Sequence, residues 1–235
     1  MLGPPPSPRS SEDGKSTEWP VEWPIYFLSI REAREKAFLQ RLVPSAAAVA
    51  RVFHGQIGAV LAAQKRPRRR LPQPRSLLRP GEIGCDASHR LLWQSLSVSP
   101  NPAQGFIVCE DDVDLSGNPT QVEYLRVLMQ EATQLQLDLV YLAWFQGYNP
   151  RTPPKPLSEH LRVPFGEYLQ LWCIYVTPVG LAKLVREFPA HINGATPPPI
   201  LPIDVAVKRS RFLRSAVAWP PLAWTVGAHS DTAPA

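Results

Sequence analysis

The sequence predicts an α/β protein with a three-layer, mostly parallel sheet, and three observations indicate this class. Short apolar runs without helical periodicity occur at residues 25–30, 106–110 and 139–145, as in strands buried on both faces. These runs alternate with segments of helical periodicity, the order typical of strand–helix–strand units. The chain has 235 residues, 44% of them hydrophobic, which is enough for one well-packed domain.

The other elements follow from local signals along the chain. Asn118-Pro119 and Thr177-Pro178 each have the form of an N-cap followed by a first helical proline. Residues 46–53 are compatible with a helix or a strand. The predicted helices are 31–42, 57–64, 83–96, 119–136, 178–188 and 204–210, and the further strands are 168–176 and 215–219.

Composition divides the chain into a single domain with two tails. Residues 1–22 are predicted to be a disordered Pro/Ser-rich tail, 23–231 the domain, and 232–235 a second tail. Two Pro-rich loops interrupt the domain, a basic one at 65–80 and another at 146–160 whose length is typical of a lid or a mobile segment.

The cysteines and the apolar runs bear on the compartment. Cys85, Cys109 and Cys173 are odd in number and form no disulfide framework, which favours a reducing compartment. No apolar stretch approaches the length of a transmembrane helix, and the N-terminus lacks the apolar core of a secretory signal. We therefore expect a cytoplasmic protein, with peripheral contact to a membrane surface as one option.

The formal net charge of +5 comes largely from the basic run Lys65 to Arg70 with Arg75 and Arg79. Such a run is compatible with a solvated loop, or with steering of anionic donors, lipid head groups or nucleic acid. It has no interleaved aromatic residues and belongs to no recognisable nucleic-acid-binding module, so nucleic acid is not the expected partner.

Three adjacent carboxylates follow the apolar run 106–109. Because Glu110, Asp111 and Asp112 repel one another, they cannot share a dry core and are predicted to lie where the strand leaves the sheet. In open α/β sheets that edge binds ligands, and clustered carboxylates suit a hard cation such as Mn²⁺ or Mg²⁺. A solvated acidic turn without function is the simpler alternative.

A calcium-binding EF-hand loop is a second alternative for this region. Its ligand positions would be Asp112, Asp114, Ser116, Gly117 and Glu123. The preceding apolar strand and Pro119 both argue against it, because an EF-hand needs a helix before its loop and a short strand pairing within it.

Three segments together resemble glycosyltransferase family 25, which includes lipooligosaccharide and collagen galactosyltransferases. Gly81-Glu82-Ile83-Gly84-Cys85, with Ser88-His89 and Trp93, is similar to the family's GEIGC…SH…W block, and Glu110 to Val113 is similar to its EDDV element. A weaker C-terminal set consists of Tyr175, Gly180, Pro202-Ile203-Asp204 and His229-Ser230-Asp231. The resemblance implies a GT-A-type fold, a UDP-galactose or UDP-glucose donor, Mn²⁺ and inversion at the anomeric carbon.

The resemblance, read together with the chemistry of the side chains, implies the site residues. Glu110, Asp112 and His229 are the expected metal ligands, and Asp204 is the expected catalytic base. Donor binding is assigned to Arg34, Ser88, His89 and Asp111, with Asp111 facing the protein. The first strand departs from the family pattern because it ends Ser29-Ile30 where the family usually has Asn-Leu. Simpler roles are a satisfied polar pair for Ser88 and His89, and a helix cap for Asp204.

Two classes of function remain open from the sequence. The first is an active transferase that moves a hexose from a UDP-sugar to a hydroxyl of a glycan, a lipid-linked glycan or a protein. The second is a catalytically degenerate GT-A-like domain that binds a sugar, an anion or a protein partner without turnover. The intact acidic triplet, with Asp204 and His229 present, favours the enzyme.

Overall fold

The computed structural model describes residues 18–20, 23–29, 31–55, 78–98, 105–144, 154–164, 170–190 and 201–225. The strands are β1 (Ile25–Ser29), β2 (Ala50–His54), β3 (Phe106–Glu110), β4 (Val113–Asp114), β5 (Leu139–Tyr141), β6 (Ala143–Trp144), β7 (Leu161–Arg162), β8 (Cys173–Val176), β9 (Ser215–Ala218) and β10 (Ala223–Thr225). The helices are α1 (Glu32–Arg41), α2 (Pro44–Val49), α3 (Pro80–Ser97), α4 (Pro119–Gln134), α5 (Pro178–Glu187) and α6 (Ile203–Arg209).

Seven strands form one sheet in the order β2-β1-β3-β8-β5-β9-β7, and three form a smaller sheet in the order β4-β10-β6. The large sheet is mixed. Strand β1 is parallel to β2 and β3, and β5 is parallel to β9. Strand β8 runs antiparallel to both of its neighbours, and β7 is antiparallel to β9. The expected α/β class is therefore confirmed, but only half of the pairings in the large sheet are parallel.

Helices cover both faces of the large sheet, which confirms the expectation of three layers. One core packs α1, α2 and α4 on the first face through side chains such as Phe38 and Leu125. The other core packs α3, α5 and α6 on the opposite face through Trp93, Leu184 and Val207. Side chains alternate along β3, so Ile107 and Cys109 enter the first core while Phe106 and Val108 enter the second.

The two predicted helix starts at Asn-Pro and Thr-Pro are confirmed. The Asn118 side chain accepts a hydrogen bond from the Gln121 N–H at 3.0 Å. The Thr177 hydroxyl accepts one from the Gly180 N–H, also at 3.0 Å. Both bonds satisfy an amide that would otherwise lack a partner in the first turn of the helix.

Several predicted boundaries were wrong for identifiable reasons. The predicted strand 139–145 divides at Leu142, whose N–H donates to Cys173 O and whose carbonyl accepts from the Leu222 N–H, so the chain passes from the large sheet to the small one. Residues 46–53 contain both a helix and a strand, α2 and β2. Helix α3 begins at Pro80, three residues before the predicted start, because Glu82 accepts a hydrogen bond from the Arg79 N–H at 2.7 Å.

The predicted tail and loops are only partly within the described residues. Trp19, inside the predicted disordered tail, is buried and donates from its indole to Trp23 O at 2.9 Å, so this residue is packed against the domain. Most of the basic loop, residues 65–77 of 65–80, lies outside the described residues, as do the predicted helix 57–64 and residues 145–153. The part of the second loop that is described is anchored, because Glu131 of α4 accepts hydrogen bonds from Ser158 and His160.

Gly180 shows how closely α5 lies against the sheet. A Cβ atom at this position would be 2.0 Å from the Asp138 carbonyl oxygen and 2.8 Å from the carbonyl carbon. These are backbone atoms at the start of β5 and cannot rotate away, so any side chain here would push the helix from the sheet.

We predict that Gly180→Ala destabilises the fold by at least about 1–3 kcal/mol, the usual cost of overpacking a close contact. The matched control is Val179→Ala in the same helical turn, where the side chain is 62% exposed and no large change is expected. Denaturant unfolding of both variants is the measurement. Equal stability of Gly180→Ala and the parent protein would show that α5 does not pack this closely.

Candidate active site

The acidic triplet lies at the predicted place, the edge of the large sheet where β3 ends. The Glu110 N–H donates to the carbonyl oxygen of Trp172, the residue before β8, at 2.7 Å, which fixes the last residue of the strand. Asp111 and Asp112 then form a turn into β4. Because a strand and not a helix precedes the triplet, the structure excludes the EF-hand alternative.

Asp111 is held by two side chains from the first strand and helix. Arg34 Nη1 donates to Asp111 Oδ1 at 2.9 Å, and the Ser29 hydroxyl donates to Oδ2 at 2.8 Å. Parallel pairing of β1 with β3 places Leu28 opposite Glu110, which brings Ser29 and the triplet to the same edge. Asp111 therefore faces the protein as predicted, and Ser29 supplies a direct contact at the position where the family usually has asparagine.

Glu110 turns to the opposite face of the sheet, where it meets α3. His89 Nε2 lies 3.3 Å from Glu110 Oε1, and Cys85 Sγ lies 3.5 Å from the same oxygen. Since a carboxylate only accepts, the imidazole proton in this contact is on Nε2. Cys85 and His89 are one helical turn apart and so lie on the same face of α3.

Cys85, His89 and Glu110 also form a cluster whose potential ligand atoms lie within 4.8 Å of one another. Burial first, and then the charges of Glu110 and Asp204, raise the pKa of the Cys85 thiol well above its usual value. A thiol that remains protonated is a poor metal ligand and a suitable hydrogen-bond donor to Glu110. Cys85 and His89 therefore orient Glu110. Both of the contacts described are made to the Oε1 atom of Glu110.

Asp112 is the least satisfied member of the triplet. Its Oδ1 atom is buried and has no hydrogen-bond partner within the described part of the chain. Burial first, and then the charges of Glu110 and Asp111, raise the pKa of Asp112 to about 7. A buried carboxylate oxygen without a partner is costly unless a proton or a cation occupies the position next to it.

Asp204 comes to the same site from a separate part of the chain. It is the second residue of α6, after Pro202 at the N-cap, so it does not occupy the N-cap position that its simpler alternative role requires. Burial raises the pKa of Asp204 against the lowering effect of a backbone hydrogen bond from Val205, and the charge of Glu110 raises it further. Its own charge raises the pKa values of Cys85 and Tyr141, which places it within electrostatic range of the α3 cluster.

The other predicted site residues have different positions. The buried Ser88 donates from its hydroxyl to Gly84 O at 2.6 Å, as in the simpler role of a satisfied polar side chain. His229 lies outside the described residues, as do Glu167 and Asp231, the carboxylates that would be considered next if Asp204 is not the base. Sequence reasoning missed Cys85 as a partner of Glu110, although its spacing of four residues from His89 is a signal that could have found it.

A divalent cation fits the residues present. The Oδ1 atom of Asp112 is buried without a partner among the described residues, and the charge of Glu110 acts on Asp112 strongly enough to raise its pKa. Carboxylate oxygens of this kind are the ligands that a hard divalent cation prefers. Asp111 is engaged with Arg34 and Ser29, so it is better suited to orient the turn than to bind the ion.

Within the described residues, no helix is long and apolar enough to cross a membrane.

Comparison with known protein families gives a match over residues 48–148 to Glycosyltransferase family 25 (LPS biosynthesis protein). The matched segment contains α3, β3 and the acidic triplet, so it includes the GEIGC and EDDV elements on which the resemblance was based. The resemblance is thereby confirmed, and with it the enzyme class, since the family is one of glycosyltransferases. No individual curated protein matches the chain.

We predict that Asp112→Asn stabilises the metal-free protein at pH 8. The pKa of Asp112 is raised to about 7 in the folded protein, so between about pH 4 and pH 7 the unfolded chain releases this proton while the folded protein keeps it. The favourable contribution of Asp112 to the stability of the fold is therefore complete at low pH and is lost as the pH rises through this range. Removing the charge should gain on the order of 1–4 kcal/mol at pH 8, since one pKa unit corresponds to about 1.4 kcal/mol.

The measurement is the melting temperature in EDTA at pH 8 and at pH 4, where the difference should disappear. Asp114→Asn, which changes an exposed carboxylate two residues away, is the matched control and should leave both values unchanged. A lower melting temperature for Asp112→Asn at pH 8 would contradict the predicted electrostatic penalty.

Proposed function

We propose that this chain, a glycosyltransferase related to family 25 through residues 48–148, transfers galactose or glucose from a UDP-sugar to an acceptor hydroxyl with inversion. The observation that carries the proposal is the carboxylate arrangement at the end of β3. Asp111 is paired with Arg34 and Ser29, and Glu110 is oriented by α3. Asp112 has a buried oxygen without a partner among the described residues. This arrangement leaves Glu110 and Asp112 for a cation and its bound diphosphate.

In the proposed site, Glu110 and Asp112 hold Mn²⁺ or Mg²⁺, and His229 is the third protein ligand. When bound, the ion neutralises the diphosphate leaving group as a Lewis acid. His229 follows Thr225 by four residues, and Thr225 pairs with Val113 next to the triplet. Arg34, which Asp111 holds beside the triplet, is the proposed cation for the donor.

Asp204 acts as the catalytic base in this proposal. The acceptor oxygen forms a bond to the anomeric carbon, and the bond from that carbon to the phosphate oxygen breaks, so UDP leaves with the electron pair. The proton of the acceptor hydroxyl passes to the Asp204 carboxylate. A pKa raised by burial and by Glu110 makes this carboxylate a stronger base than an exposed one, as the reaction requires near neutral pH.

The proposed acceptors are glycans, lipid-linked glycans and proteins. The reaction is assigned to the cytoplasm, and a lipid-linked acceptor would be reached at the membrane surface. The odd number of cysteines is the basis for a reducing compartment. All three are free in the structure, with the sulfurs of Cys109 and Cys173 2.7 Å apart. The alternative, a domain that binds sugars without turnover, differs in one measurable respect. An active site of the proposed kind should hydrolyse its UDP-sugar slowly in the absence of an acceptor.

We predict that the parent protein hydrolyses UDP-galactose or UDP-glucose in Mn²⁺ and that Asp112→Ala reduces this rate to the level seen in EDTA. The reason is that the variant lacks the proposed ligand with the unpartnered oxygen. UDP release is the measurement. The matched control is Glu32→Gln in α1, which removes a carboxylate with a 78% exposed side chain and should retain full activity. Parental hydrolysis by Asp112→Ala would contradict the metal assignment.

We predict that Asp204→Asn lowers kcat for transfer by about 10²–10⁴-fold, the usual contribution of a general base. The asparagine oxygen can still accept the hydrogen bond from the Val205 N–H, so the melting temperature should stay near that of the parent. Measuring kcat and melting temperature together separates a chemical role from a structural one. A kcat close to the parental value would remove Asp204 as the base and make Glu167 and Asp231 the next carboxylates to test.

A further inference from the structure

The small sheet next to the site carries an exposed tryptophan opposite an exposed carboxylate. Trp224 of β10 pairs directly with Asp114 of β4 in an antiparallel register. Directly opposed residues have their side chains on the same face, with Cβ atoms about 4.5–5.5 Å apart. The Trp224 side chain is 39% exposed, which is a large apolar area for a protein to leave in contact with water.

The Asp114 and Trp224 side chains lie on the face of the small sheet that is turned away from the core beneath it. Val113, Ala143 and Ala223 point into the core that contains α1, α2 and α4. Because side chains alternate along a strand, Asp114 and Trp224 point the opposite way. Glu110 also points away from that core, towards Cys85 and His89 on α3.

The pair is also close to the triplet along the chain. Asp114 follows Asp112 by two residues, so their Cα atoms are at most about 7.6 Å apart. Trp224 lies on the neighbouring strand, one interstrand spacing of about 5 Å further on. A hexose ring placed on the indole would therefore lie near the carboxylate turn.

We propose that Trp224 and Asp114 bind a sugar ring of the acceptor, an inference that rests on the proposed function and narrows its acceptor to a glycan. A pyranose ring has an apolar face of C–H groups, which can lie flat on an indole, and hydroxyl groups around its edge. The Asp114 carboxylate can accept hydrogen bonds from two adjacent hydroxyls. An apolar surface with a few convergent polar groups is the usual form of a small-ligand site.

Other occupants fit the pair less well. A stable protein interface buries about 800 Å² on each partner, far more than one indole and one carboxylate provide. A nucleic acid would place its phosphates beside the carboxylates of Asp114 and the triplet, and like charges repel. A neutral sugar ring matches both the size and the charge of this site.

The test is saturation-transfer NMR with methyl β-galactoside, methyl β-glucoside and methyl β-N-acetylglucosaminide as probes. We expect at least one glycoside to receive saturation from the parent protein, and the signal to fall at least about tenfold in Trp224→Ala. Trp224→Phe, which keeps an aromatic face, should restore most of the signal, and Asp114→Asn should weaken it. Phe212→Ala is the control, since Phe212 is 60% exposed on a different segment.

The outcomes separate this inference from the proposed function when UDP-sugar hydrolysis is measured on the same samples. Absence of saturation transfer in the parent would overturn the inference even if hydrolysis is Mn²⁺-dependent. A signal in Trp224→Ala and Asp114→Asn as strong as that of the parent would overturn it as well. Loss of the signal in both variants without any hydrolysis by the parent would support the sugar site and reject the transferase. If Trp224→Ala fails to fold, the Asp114→Asn result alone decides.

Discussion

Mutual repulsion among Glu110, Asp111 and Asp112 is the constraint on which the site depends. Three adjacent carboxylates at the end of a buried strand each need a separate source of compensation. Asp111 has a charged partner in Arg34 and a hydroxyl donor in Ser29. Glu110 has hydrogen bonds from α3, whereas Asp112 has a raised pKa and a buried oxygen with no described partner. The remaining deficit, concentrated on Asp112, is what makes this edge a cation site in our account.

The architecture of the sheet brings the groups that compensate these carboxylates to the end of β3. Parallel pairing of β1 and β3 brings Ser29 and Arg34 to the end of β3, and the 18-residue helix α3 presents Cys85 and His89 from the other face. Strand β8, antiparallel to β3, fixes the Glu110 backbone, and α6 brings Asp204 within range of the Glu110 charge. Residues from four separate segments thus converge on one strand end, which explains why the GEIGC and EDDV elements occur together in the sequence pattern.

The sequence predicted β3 and the start of α4 correctly because their signals are local: an uninterrupted apolar run and an Asn-Pro cap. It did not predict strand β10, because a strand of three residues is too short to show a periodicity. It did not predict the direction of β8 either, because strand direction depends on the path of the chain between strands and not on a local pattern. The location of the triplet was predictable from charge repulsion alone. The contact of Cys85 with Glu110, and the turn at Asp111–Asp112, depend on how α3 and β4 pack, and no local pattern specifies that.

The central claim is that Glu110 and Asp112 bind a divalent cation together with a nucleotide diphosphate. The most direct measurement is electron paramagnetic resonance of free Mn²⁺ during titration of the protein, with and without UDP. Our account predicts one Mn²⁺ per chain, bound more tightly when UDP is present, and loss of that binding when both Glu110 and Asp112 are replaced by their amides. Binding of Mn²⁺ and UDP that is unchanged in this double variant would contradict the account.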